Sequence, residues 1–352
     1  MEARHSLSEA QFIRRTLIVI ALVALAMFLW MLRDVLLMIF GAVVVAALFR
    51  SLASQFQRLH VPQGLALALS VLSIFAIVGG ALALFGSQII AQTETLSQTL
   101  PKAWESLQAR ITASGLPLDA DQLKPTGAGS NLAAQAGSFV MSLGGGLADA
   151  LLIIVGGIFI AASPRFYTAG AVKLVPDSKR DLTREAMADS GKALRLWLKA
   201  QLVAMVLIGL LTGLGLWILG VPSALALGLI AGLLEFVPFV GPILAAIPAV
   251  LIALAIDPQL ALWTLLLYVL IQNIEGYAVQ PIIQSWAVEV PGAVLLFALL
   301  ACGAMFGPLG IIFAAPLTVV VYVLIKRLYV REALDTATPI PGEDQPETKP
   351  AR

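Results

Sequence analysis

Glu235-Phe236-Val237-Pro238-Phe239-Val240-Gly241-Pro242-Ile243-Leu244-Ala245-Ala246-Ile247-Pro248 is an apolar run punctuated by one acid, three prolines and a glycine. It lies inside a longer stretch, Ala200 to Ile325, that holds no lysine or arginine and only four acids: Glu235, Asp257, Glu275 and Glu289. A water-soluble domain needs both signs of charge on its surface, so this stretch does not belong to one. It belongs in a bilayer, where an ionised group costs several kcal/mol and persists only facing protein or a water-filled cavity. Nine prolines and twelve glycines in the same stretch exceed what a plain helical anchor requires.

Composition agrees. The chain is 59% hydrophobic and 12% charged, with formal net charge +1 and mean hydropathy +0.93, which places it in the membrane class. Near-zero net charge argues against nucleic acid as a partner. A single cysteine, Cys302, rules out an internal disulfide framework and a cysteine-based metal centre. No metal, catalytic residue or cofactor is expected. The spans lack histidine, no His-Glu-x-x-His pattern occurs, no base is evident for a serine nucleophile, and no Gly-x-x-x-x-Gly-Lys-Ser/Thr loop is present for ATP.

Apolar segments fall at 16–32, 35–49, 64–86, 147–163, 199–219, 223–256, 259–280 and 291–325. About 20 residues cross a hydrocarbon core of roughly 30 Å. The expected fold is therefore an all-α polytopic membrane protein with about 6–8 transmembrane helices. The first two segments share Arg33–Asp34 and are expected to form a tight helical hairpin. Basic residues cluster before the first span (Arg14, Arg15), after the second (Arg50, Arg58), through 164–199, and after the last (Lys326, Arg327, Arg331). If spans alternate, all four sets share one side, which the positive-inside rule makes cytoplasmic. Both termini are then inside.

The chain accordingly divides into N-terminal membrane helices (1–86), an extracytoplasmic helical loop (87–146), a transmembrane helix (147–163), a cytoplasmic amphipathic helix (164–198), a C-terminal transport core (199–330) and a disordered cytoplasmic tail (331–352). Within the loop, Ile89, Leu96, Leu100, Trp104, Leu107 and Ile111 recur at helical steps, which draws one apolar face.

A second stretch repeats the punctuation of the first: Phe306-Gly307-Pro308-Leu309-Gly310-Ile311-Ile312-Phe313-Ala314-Ala315-Pro316. Each has Gly-Pro at mid-segment and Ala-Ala shortly before another proline. Glycine permits unusual dihedrals and proline removes a donor, so each segment should break into half-helices of roughly 14–18 residues, about 21–27 Å long. Two topologies satisfy the charge rule. Every half crosses, or 223–256 and 291–325 are re-entrant hairpins entering from opposite sides. The second makes 199–256 and 259–325 inverted units and is preferred, because paired interruptions mark transporter binding sites.

Between the breaks lies a polar set. Helical spacing places Asn273, Tyr277, Gln280 and Gln284 on one arc, with Gln272 and Glu275 adjoining and Pro281 freeing a carbonyl nearby. Glu235, Gln272, Asn273, Glu275 and Gln280 are the expected solute or ion pathway, and Glu275 is the leading candidate to bind and release a proton. Pro238, Gly241, Pro242, Pro248, Pro281, Gly307, Pro308, Gly310 and Pro316 are the expected break residues. Asp257 and Glu289 sit at segment ends, where a loop role is expected. Gly209–Gly213, Gly228–Gly232 and Gly303–Gly307 are spaced for close helix packing.

This core resembles the autoinducer-2 exporter family of bacterial permeases. The residues that carry the resemblance are Gln201, Gly220-Val221-Pro222, Pro238-Phe239-Val240-Gly241-Pro242 with Pro248, Gln272-Asn273-Ile274-Glu275-Gly276 with Pro281, and Gly307-Pro308-Leu309-Gly310 with Ala315-Pro316. Val290-Pro291-Gly292 departs from the family's doubled proline before the last hairpin. The resemblance implies a homo-oligomeric carrier of the bacterial inner membrane that moves small polar solutes or ions outward, signalling furanones, sodium and protons among them. Partners would be the lipid bilayer, the solute and copies of the chain. A passive channel, or a scaffold for envelope proteins, is the alternative.

Overall fold

Every apolar segment described is helical, the helix Arg180–Ile218 beginning in the polar stretch ahead of its span, and no other kind of regular element occurs among the described residues. The structure, a computed structural model, describes residues 9–80, 83, 146, 148–280, 290–336 and 338–340. The loop face expected over 89–111 lies outside the described residues, as do Pro281, Gln284 and Glu289. Six helices among the described residues are long and apolar enough to cross a bilayer, or seven if one bent pair counts as a single span. The chain is an all-α polytopic membrane protein.

The first two helices correct an expectation. α1 (Glu9–Met31) and α2 (Arg33–Arg58) do not form a tight hairpin. The interruption is confined to Leu32 (φ −87°, ψ 2°), whose N donates to Phe28 O and whose O accepts from Leu36 N, and the apolar window of α1 stays wholly unburied. The physical reason is local. Neither Arg33 nor Asp34 breaks a helix, and no glycine or proline stands between the segments. The Arg33 guanidinium instead lies over the Trp30 ring, 4.6 Å from its centre.

α3 (Gln63–Gly80) follows a short turn, and α4 (Ala148–Ala162) meets α5 (Pro164–Lys173) at a 93° bend. Proline at the first position of α5 explains the corner, since it starts a helix readily and cannot continue one. After a short 3₁₀ turn, α6 (Arg180–Ile218) runs as one helix of 39 residues from the polar segment into the next span.

The hairpin after α6 is shorter in its first arm than expected. α7 (Ala224–Leu234) has 11 residues and α8 (Val240–Ile256) has 17. The turn before α7 consumes the difference, with positive φ at Gly220 and Ser223. α6 and α7 lie against one another through glycines. A Cβ on Gly228 would come within 2.6 Å of the Gly213 Cα, and one on Gly209 within 3.1 Å of the Gly228 carbonyl. Two of the three small-residue pairs, Gly209–Gly213 and Gly228–Gly232, are thus the two sides of one seam. Ala224, Leu227 and Ala231 of α7 share a core cluster with Ala245, Ala249 and Ala253 of α8.

Asp257 caps α9 (Pro258–Ile274), its Oδ2 accepting from Leu260 N at 3.2 Å, with proline at the first helical position. α10 (Gly292–Leu324) is interrupted at Gly307, whose φ of 64° and ψ of −146° only glycine adopts without strain. The chain doubles back there. Eight residues of continuous helix span about 12 Å, yet a Cβ on Gly310 would overlap the carbonyl of Cys302. Phe236 from the first break and Phe306 and Leu309 from the second pack against the same core cluster, which includes Trp197 and Phe313.

Beyond α10, Arg327 pairs with Glu185 and lies 3.8 Å from Asp189, tying this end to the polar part of α6. The segment from 331 onward, expected as a disordered tail, has fixed contacts among its described residues. Arg331 donates to Thr338 O at 2.7 Å, and Ile340 is only 3% exposed.

Candidate functional site

The first break places an acid where helix ends. Glu235 follows α7 with φ −56° and ψ −18°, and the chain then tightens through Phe236 N to Leu233 O and Val237 N to Leu234 O. Pro238 stops the helix from resuming. Phe239 takes a positive φ of 65°, and Gly241 passes so close to the Leu234 carbonyl that a Cβ would overlap it. The backbone at the break is therefore largely paired with itself. The Glu235 side chain is turned inward and 1% exposed.

Glu275 reaches the same place from α9. It opens a π-helical turn, Glu275–Val279, closed by Gln280 N donating to Glu275 O. Five-residue pairing brings Gln280 over Glu275, which a regular helix would not do. Glu275 is 6% exposed. Its Oε2 accepts from Gln272 Nε2 at 2.8 Å, and its Oε1 from Gln280 Nε2 at 3.4 Å.

The two buried carboxyl groups lie close enough for their charges to interact. Glu235 Oε2 meets no N–H or O–H donor, whereas Glu275 meets two amides. The pair thus sets a carboxyl group without amide donors beside one that has two, both of them buried.

α6 holds the break in position. Gln201 Nε2 donates to the backbone oxygen of Glu235 at 2.5 Å. One turn earlier, Trp197 packs edge-on against Phe236, with ring centres 6.0 Å apart. From the other side, the buried Tyr268 hydroxyl of α9 donates to Ala245 O at 3.1 Å. That bond secures α8 one turn before Pro248, where the helix lacks a backbone donor.

Of the residues singled out from sequence, Glu235, Gln272, Glu275 and Gln280 come together. Asn273 does not join them. It is exposed and donates back to Val269 O of its own helix. Trp197 and Gln201 were not assigned to the pathway. The available signal was Gln201 itself, an amide at the start of an otherwise apolar run. Pro238, Gly241, Pro242 and Pro248 lie in or beside the first hairpin, and Gly307, Pro308, Gly310 and Pro316 in or beside the second. Among the described residues no cluster of histidine, cysteine, aspartate or glutamate has a metal-holding arrangement.

Comparison with known proteins places the geometry in context. The chain is 32% identical over 151 residues to a Bacillus subtilis (strain 168) protein named "Putative transport protein YrrI", a match covering 43% of each chain. MT0215 of Mycobacterium tuberculosis (strain CDC 1551 / Oshkosh), which bears the same kind of name, is 27% identical over 72% of each chain. The "AI-2 transport protein TqsA" of Escherichia coli (strain K12) is 25% identical over 81% of this chain and 84% of its own. The matches to YrrI and to a second Bacillus subtilis relative span less than half of those proteins' lengths. A family described as "AI-2E family transporter" matches residues 18–329, nearly the whole membrane-embedded chain, and the protein therefore belongs to the AI-2E transporter family.

Proposed function

We propose that the chain is a secondary transporter that moves a small polar solute or ion across the bacterial inner membrane, coupled to protons through Glu235 and Glu275. The observation that carries the reading is the burial of two neighbouring carboxyl groups, one at a helix break and one at a π-turn. Ionisable groups inside membrane segments mark ion paths and proton relays. Broken helices give such groups a place to face a cavity. In the cycle, solute reaching the break parts Glu235 from Glu275. The proton leaves as the carboxyls separate and returns when they meet again. Gln272 and Gln280 keep Glu275 solvated by amide donors throughout, and Gln201 holds the backbone of the break.

Family membership and the name of the Escherichia coli relative support a solute of the AI-2 class, moved outward in the proposed cycle. The distribution of lysine and arginine supports cytoplasmic termini. The helical hairpins act as the mobile gates, copies of the chain assemble around the bilayer-facing α1, and the chain carries out no covalent chemistry.

Flux into proteoliposomes tests this against its alternatives, using furanone signals, small polar metabolites and sodium under an imposed pH gradient. Glu275→Gln abolishes gradient-driven flux in a coupled carrier. In a passive channel it alters conductance but leaves flux, and in a scaffold it leaves partner binding unchanged. Gradient-independent flux in wild type would count against the proposal.

A further inference from the structure

Away from the carboxyl pair, a cavity of about 310 Å³ opens between the ends of α2, α3 and α4. Its polar wall is Arg50, Ser54, Gln57, Gln63 and Gly64, and its floor is apolar, formed by Leu67, Ala53 and the two alanines that end α4. Arg50 is anchored by one N–H, Nη1 donating to Ala161 O at 3.0 Å. A guanidinium has five donors, so others remain for a ligand.

The charge balance at this place is unusual. Arg195 of α6 lies close enough to Arg50 for their like charges to repel. Arg33, Arg180, Arg184 and Arg327 all have carboxylate partners, but neither Arg50 nor Arg195 is ion-paired among the described residues. Among the described residues, the side-chain amides of Gln57 and Gln63 make no hydrogen bond either. The site therefore collects positive charge and donors without a carboxylate in its lining. A bound anion would relieve the repulsion, and a guanidinium fork matches phosphate oxygens well.

Its surroundings indicate which anion. All lining residues fall at the ends of their helices where basic residues gather, the boundary between span and polar segment. Next to it, Leu65, Leu72 and Phe159 present apolar side chains outward, each more than half exposed. A ligand with a phosphate head and acyl tails meets both surfaces. We propose that this cavity binds the phosphate of an acidic phospholipid headgroup in the cytoplasmic leaflet, using Arg50 with Arg195 as the second positive charge. The site is independent of how the protein couples transport. It gives the helix bundle a lipid-dependent clamp at the corner where α2, α4 and α6 meet.

The test measures binding of a fluorescent phosphatidylglycerol and a matched phosphatidylcholine to the full-length protein in detergent. Wild type is expected to hold phosphatidylglycerol at least ten-fold more tightly. Arg50→Gln or Arg195→Gln should weaken that binding ten-fold or more, while Lys173→Gln, on the exposed end of α5, should not. Gly64→Asp supplies a variant that leaves both arginines in place. A Cβ there meets nothing within 4 Å, so the fold persists while a negative charge enters the cavity. It too should weaken phosphatidylglycerol binding, at an unchanged melting temperature. Equal binding of the two lipids, or a preference that survives Arg50→Gln and Gly64→Asp, overturns the proposal. Displacement by millimolar inorganic phosphate as complete as by short-chain phosphatidylglycerol overturns the lipid assignment in favour of a soluble phosphate.

Discussion

At the scale of single residues, Glu235 and Glu275 are two buried carboxyl groups near enough for their charges to interact. Both were visible in the sequence as acids in a stretch without basic partners. Their proximity was not, because 40 positions separate them and no local period relates them. The phase of the polar stripe was also hidden. A regular helix turns 100° per residue and would set Gln280 well away from Glu275, whereas the π-turn brings it back into line and leaves Asn273 outside. Gln201 gives this scale its own prediction. Gln201→Leu removes the donor to the Glu235 carbonyl and should cost about 1–3 kcal/mol. The loss is read as a lower melting temperature in detergent, accompanied by slower flux. An unchanged melting temperature would mean that the break is held by other contacts.

Among the elements, glycine and proline announced both breaks, since their backbone limits act locally and need no tertiary context. Where the cue was charge alone, the reading failed. Arg33–Asp34 looked like a turn, but both residues are compatible with a helix and open α2, the interruption being the single residue Leu32. The first arm of the hairpin proved shorter because the Gly220–Ser223 turn is longer than apolarity alone suggests. The α6–α7 seam admits no side chain at Gly228, where the nearest atom is the backbone Cα of Gly213. Gly228→Val should therefore destabilise by about 1–3 kcal/mol or more, since backbone yields less readily than a side chain. Thermal unfolding of the purified protein checks this, and a neutral result would deny the close approach. The fold-back of α10 has a covalent test. With Cys302→Ser as background, paired cysteines replacing Gly303 and Ile311 should oxidise readily, because a Cβ on Gly303 lies 2.9 Å from the Ile311 side chain. A straight helix would hold them about 12 Å apart, and no disulfide would form.

For the whole molecule, the meaning of the two breaks lies in their convergence: Phe236, Phe306 and Leu309 pack on one core. The sequence supplied the repeated pattern but not the meeting point, which depends on α6 passing between distant parts of the chain. If the hairpins enter from opposite sides, single cysteines at Phe239 and Met305 should react with impermeant reagent added to opposite faces of oriented vesicles. Labelling of both from one face would favour halves that cross. The coupling claim itself is tested most directly by following the proton. Proteoliposomes loaded with a pH-sensitive dye would be given a solute gradient and no pH gradient. Wild type should change the internal pH as solute moves, and Glu235→Gln and Glu275→Gln should each abolish that change. Solute movement by wild type without any pH change, or a pH change that persists in both variants, would contradict the account.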